Sequence, residues 1–89
     1  MRAIISVVGQ DRVGILAGVS AACAACNANI VDVTQSVMQD MFVMVMMVDI
    51  SDMNVEFQAL TQTMNELGEK IGMVIHVMHE DIFNSMHRI

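Results

Sequence analysis

The chain has 89 residues, 55% of them hydrophobic and 16% charged, with a formal net charge of −6 from ten acids against four Lys and Arg. The four bases, Arg2, Arg12, Lys70 and Arg88, are scattered; without a basic stripe to neutralise phosphates, direct nucleic-acid binding is not expected. The longest unbroken apolar run, Met41 to Val48, falls far short of the ~20 residues that span a bilayer, so no membrane partner is expected either.

The length predicts one domain, residues 1–89. A chain of this size buries roughly 60–65% of its unfolded surface, enough for a modest core. The composition is more apolar than a small monomer with one wet surface needs, which implies a second apolar surface covered by another subunit. Eleven methionines suit irregular core gaps and adaptable interfaces. The N-terminus reads poorly as a secretory signal, because its short apolar stretch runs straight into Gly-Gln-Asp-Arg. The expectation is a cytoplasmic protein. Two cysteines are too few for a disulfide framework.

In chain order, residues 2–8 are β-branched and short, and predict a strand. The stretch from Val8 to Leu16 follows, and the rest of the chain is organised around it. There the apolar run ends, Gly9 and Gly14 bracket four residues, and a helical apolar pattern begins. The order predicts strand, tight loop and helix start. Glycine suits a sharp turn or a close backbone approach. A helix start offers unpaired N–H groups and a partial positive charge, which together can hold a small anion such as a carboxylate.

Leu16, Val19, Cys23 and Cys26 recur at helical spacing and predict a buried stripe. Gly18, four residues after Gly14, predicts a close helix approach. Asn27-Ala28-Asn29 predicts a helix stop. Residues 30–37 predict a strand, with Val31, Val33 and Val37 on one face and Asp32, Thr34 and Ser36 on the other. Gln39-Asp40 predicts a hairpin turn. Residues 41–50 predict a strand apolar on both faces, hence covered on both.

Ser51 or Asp52 is a candidate N-cap for the next helix. Phe57, Leu60, Thr61, Met64, Leu67 and Ile71 then make the clearest amphipathic stripe in the chain, ending at Gly68 or Gly72. Residues 73–78 predict a last strand. The tail from Glu80 to Ile89, with Ile82, Phe83, Met86 and Ile89, predicts a short amphipathic helix. The whole is an α+β, ferredoxin-like βαββαβ sandwich: an antiparallel four-stranded sheet, two helices on one face and a short C-terminal helix. A homodimer is the simplest cover for the other sheet face.

Gln-Asp-Arg-Val-Gly-Ile-Leu after the first strand, with Asn29-Ile30 opening the second, resembles the ACT domain. The resemblance covers almost the whole chain. It looks closest to small stand-alone ACT proteins and is more distantly similar to regulators of the glycine cleavage repressor type. Val13 stands where many members have Pro. The resemblance implies a regulatory, dimeric domain that binds an amino acid or another small metabolite against the first loop and helix start, near a subunit interface. By matching position it implicates Gln10, Asp11, Arg12, Val13, Gly14, Ile15 and Leu16, with Asn29, Ile30 and Val31 from the start of the second strand. A stand-alone domain must also report to another protein. The alternative is a ligand-free interaction module acting through its dimer surface.

Gly9 to Gly14 has phosphate-loop spacing, but Ile15-Leu16 stands where Lys-Ser/Thr is required. Asp11 fits either a ligand's ammonium group or a helix cap. Arg12 fits a carboxylate partner or plain solvent exposure, and Asn29 a ligand contact or a turn. Cys23-Ala-Ala-Cys26 lies near a helix C-terminus, where nothing lowers a thiol pKa, so two small buried apolar side chains are the better account. His76 and His79 point to opposite strand faces and cannot share an ion; His87 lies in the tail. No Ser-His-Asp set or close carboxylate pair supplies a catalytic nucleophile. The expectation is no enzyme, no metal and no cofactor.

Overall fold

The computed structural model describes residues 1–86; Ile89 of the tail helix and His87 lie outside the described residues. The elements are β1 (Arg2–Gln10), α1 (Ile15–Ala25), β2 (Asn29–Met38), β3 (Met41–Asp49), α2 (Phe57–Ile71), β4 (Met73–His79) and α3 (Glu80–Met86). The four strands form one antiparallel sheet in the order β2-β3-β1-β4. This is the ferredoxin-like arrangement expected from the element pattern.

Strand period two and helix period near 3.6 set the core. Ala3, Ile5 and Val7 of β1 face inward with Phe42, Met44, Met46 and Val48 of β3 and Met73 and Ile75 of β4. Ile15, Val19 and Cys23 of α1 and Leu60 and Met64 of α2 close over them. Both long helices therefore cover one face of the sheet. The α1 stripe differs slightly from the sequence reading: Ile15 is buried, whereas Leu16 is 39% exposed.

Register adds a second refinement. Ile30 pairs with Val48 and Asp32 with Met47, so Val31 is the extra residue of a β-bulge. Ile30 and Val33 pack on the core, whereas Val31 is half-exposed. The bulge breaks the simple alternation expected of β2.

The turns follow residue chemistry. Asn27 takes a φ of 61° at the end of α1, and Gln39 one of 59° in the β2–β3 hairpin. Gly72 ends α2 at φ 73°, while Gly68 is buried inside that helix. The start of α2 is a correction. Its N-cap is Glu56, without a side-chain cap bond. Ser51 and Asp52 instead lie in the turn after β3, where the Ser51 N–H donates to Asp49 Oδ1 and Asn27 Nδ2 donates to the Asp52 carbonyl.

The outer sheet face carries Ile4, Ser6, Val8 and Val45. Short α3 folds onto β1 and β4 there and leaves Ile4 only 7% exposed. Phe83 lines two cavities of about 170 Å³ each beside Ile4 and Val45. An Arg2–Glu80 ion pair fastens the start of α3 to β1. Val45 stays 43% and Val8 37% exposed, so the outer face of β3 and the adjoining end of β1 are only partly covered.

Candidate ligand-binding site

The loop between β1 and α1 is Asp11 to Gly14. Gly14 is the N-cap of α1, at φ 90° and ψ 6°. That left-handed geometry is open to glycine at little cost. No side chain caps the helix, so neither Asp11 nor any neighbour uses up the N–H groups of its first turn. A Cβ added at Gly14 would meet nothing within 4 Å, so the space beside Gly14 itself is open. The Gly18 N–H already bonds to the Gly14 carbonyl at 2.9 Å; the free donors are those ahead of it.

Gly9 takes the close-approach role and not the turn. It lies within β1, opposite Phe42 and Met73. A Cβ there would come within 2.6 Å of Met73 Sδ and 3.0 Å of the Gly72 carbonyl oxygen. Gly9 therefore allows β1 to approach the α2–β4 junction; the turn itself belongs to Gly14.

Two contacts fix the loop. The Asp11 N–H donates to the Asp40 carbonyl at 2.8 Å, tying the loop to the β2–β3 hairpin. The Arg12 guanidinium lies against Gly72, with Nη2 3.6 Å from the point where a Cβ would stand. Sequence reasoning missed both Asp40 and Gly72 as neighbours of the loop. Turn chemistry marked each position, but only long-range register brings them to it.

Of the expected site residues, Gln10, Asp11, Arg12, Val13 and Gly14 are exposed around the loop, and Ile15 anchors it in the core. Val13 is fully exposed. Leu16 borders the loop with part of its side chain outside. Asn29, Ile30 and Val31 lie elsewhere. Asn29 pairs with Asp49, which also pairs with Arg2 at the start of β1, whereas Gln10 pairs with Met41 at the other end. Eight strand steps separate those ends, roughly 26 Å. A single copy of the chain does not bring the two groups together.

The remaining polar candidates separate as their parity requires. His79 meets Phe57 of α2 in a tilted ring contact, with ring centroids 6.0 Å apart. Its Nδ1 accepts the Asp81 N–H at 3.2 Å. His76 lies on the outer face beside Ser6 and Met78. Among the described residues no three His, Cys, Asp or Glu side chains are grouped to hold a metal ion. Cys23 is fully buried and Cys26 nearly so. Burial pushes the Cys23 thiol up to about 11, with the neighbouring Cys26 adding to it. No described helix is long and apolar enough to cross a membrane.

Comparison with known proteins agrees with this geometry. Residues 2–78 match the ACT domain. A UPF0237 protein of Methanocaldococcus jannaschii is 49% identical over 88 residues, covering 99% of this chain and 98% of that one. The solved ACT domain protein from Streptococcus pneumoniae superposes with a TM-score of 0.82 at 37% identity, covering 93% of each chain. A solved candidate transcriptional repressor of the glycine cleavage system superposes at 0.76 with 23% identity, covering 89% of this chain and 47% of that one; at that identity it shows the fold alone. ACT domains generally bind small molecules such as amino acids for regulation, and the family points to a regulatory rather than a catalytic domain. By the match along 2–78 and the near-complete overlap with its relatives, this chain belongs to the ACT domain family.

Proposed function

We propose that the chain is a single-domain metabolite sensor that binds an amino acid in the loop between β1 and α1 and works as a homodimer. The observation that carries this reading is the uncapped mouth of α1 behind Gly14. The free N–H groups there suit a carboxylate, and exposed Asp11 suits the ammonium group of the same zwitterion.

The separation of Asn29 from the loop supports a site shared between protomers. β2 is an edge strand running from Asn29 to Met38. The loop sits at its Met38 end, through the Asp11–Asp40 bond. An antiparallel two-fold pairing of β2 with its copy brings the Asn29–Val31 segment of one protomer towards the loop of the other. Ligand then favours the dimer arrangement in which both halves close on it, and a second protein reads that shift.

The test is thermal or calorimetric titration with the common amino acids. Ligand at about 100 times its dissociation constant adds roughly 2.7 kcal/mol of stability. Val13→Glu places a carboxylate at the helix mouth on a fully exposed side chain, so it should abolish the response while leaving the fold intact. Gly14→Val should do the same at the cost of backbone strain. No response to any amino acid, or one indifferent to Val13→Glu, removes the loop as the site. Sedimentation at micromolar concentration tests the dimer; a mass of 9.8 kDa contradicts it.

A further inference from the structure

We propose that the free edge of β4, together with the groove that α2 forms beside it, docks a short, basic, strand-forming peptide segment of a partner protein. This surface is distinct from the loop before α1, and the proposal holds whether or not an amino acid binds there.

Three observations converge on it. First, β4 ends the sheet: among the described residues β1 is its only strand neighbour, and no described loop backbone bonds to it there. Every other residue therefore directs its N–H and C=O groups outward. Second, among the described residues this edge lacks a bulge, a Lys and a Pro. Its pairing with β1 runs without a bulge from Gly9–Met73 to Ala3–His79. Its sequence, Met-Val-Ile-His-Val-Met-His, contains neither Lys nor Pro. Such an edge is a template for another strand. The opposite edge, β2, is interrupted by its bulge.

Third, the edge is bordered by a groove of about 510 Å³ with a definite chemistry. Phe57, Thr61 and Val77 supply its apolar floor, and Glu66 and Glu69 of α2 its charged wall. Glu66 accepts one bond from Gln62 Nε2 at 3.2 Å and keeps the rest of its carboxylate for a partner. A fifth strand added to β4 would place alternate apolar side chains on Phe57 and Val77, and Lys or Arg side chains against the two carboxylates. Main-chain bonds supply affinity and the wall selects the sign of charge. The same wall disfavours a second copy of this chain, since pairing β4 with β4 across a two-fold brings the four carboxylates towards one another. The net charge of −6 acts in the same sense.

The experiment uses fluorescein-labelled nonapeptides of alternating Val and Lys. Controls carry Glu in place of Lys, or N-methyl groups on only the odd or only the even residues. Fluorescence anisotropy should show binding of the basic peptide and at least about tenfold weaker binding of the acidic one. One N-methylated peptide should lose about tenfold or more while the other keeps its affinity, because a strand offers one edge to β4 and one to solvent. Glu66→Lys with Glu69→Lys should weaken binding about tenfold with unchanged circular dichroism. Amide shifts should concentrate in β4 and α2. Equal binding of both N-methylated peptides means diffuse charge attraction and overturns the proposal, as does absence of binding or a shift pattern centred on β2. Self-association relieved by the double Glu variant would make a second copy the occupant and would overturn it too.

Discussion

The guanidinium of Arg12 rests on Gly72, the residue that ends α2. A Cβ at Gly72 would stand 3.6 Å from Arg12 Nη2 and 3.7 Å from Cζ. Gly72 itself takes φ 73°, and its N–H closes the helix on the Gly68 carbonyl. The cation thus lies at the helix end where carbonyl dipoles leave partial negative charge. The loop before α1 and the α2–β4 junction are coupled through this one contact.

Arg12→Gln should therefore cost about 0.3–1 kcal/mol at low ionic strength, the range for a cation at an exposed helix C-terminus. The loss should shrink in about 1 M salt, where the Debye length is about 3 Å. Urea unfolding at both salt concentrations measures it. A loss independent of salt would mean that the side chain contributes packing and not charge.

The tie between β1 and α3 should respond to acid. The Arg2 guanidinium, through a hydrogen bond and its charge, holds the Glu80 carboxyl below the usual Glu range. A depressed carboxyl pKa contributes stability that is present above its unfolded value of about 4.3 and is lost as pH falls through the folded value. The protection factors of α3 amides, taken against the intrinsic exchange rate at each pH, should fall on acidification below about pH 4 while those of the sheet hold. In Arg2→Gln that extra protection is absent already at neutral pH. Asp49 is also held low, chiefly by the Ser51 backbone N–H, so Asp49→Asn serves as the control for the same window. Protection factors in α3 of the unaltered chain that do not change with acid would show that the ion pair does not hold α3.

Much of this was legible from residue order. Period-two and period-3.6 patterns gave the four strands and two long helices, because both are set by burial on a single face. The Asn27 stop was legible because Asn is among the few residues that tolerate a left-handed backbone; Gln39 takes the same conformation without that signature. What failed or stayed open depended on distant partners. Gly9 suited a sharp turn or a close approach, and β1–β4 register makes it a close approach to Met73. Val31 alternated correctly until pairing with β3 introduced the bulge. Asp11 looked like a helix cap, but Gly14 takes that position and Asp11 turns to Asp40.

The Cys23-Ala-Ala-Cys26 pair should be chemically silent in the folded protein. Cys23 is buried with its thiol raised to about 11, and Cys26 Sγ donates to the Cys23 carbonyl at 3.4 Å. The thiolate is the reactive form, so a raised value suppresses it at neutral and mildly alkaline pH. Labelling with an aromatic disulfide at pH 8 should proceed only as fast as the protein opens, and should become immediate in denaturant. Rapid labelling of the native protein would contradict the burial of this pair.

Two helical glycines give a contrast of opposite sign. Replacing an interior helical glycine by alanine gains up to about 1 kcal/mol of backbone propensity wherever the methyl fits. At Gly18 it fits, since the new Cβ would meet only Leu67 Cδ1, at 4.0 Å. At Gly68 it does not: the Cβ would lie 2.6 Å from the Met73 carbonyl oxygen and 3.3 Å from Ile75 Cγ1. That oxygen is backbone of β4, held in register against Gly9, and cannot swing aside as a side chain would. Overpacking of this kind costs about 1–3 kcal/mol, which offsets or exceeds the propensity gain. Gly18→Ala should raise the urea midpoint and Gly68→Ala lower it, with unchanged slope in both. If both substitutions stabilise, α2 does not approach β4 as closely as described, and the groove along the β4 edge loses its wall.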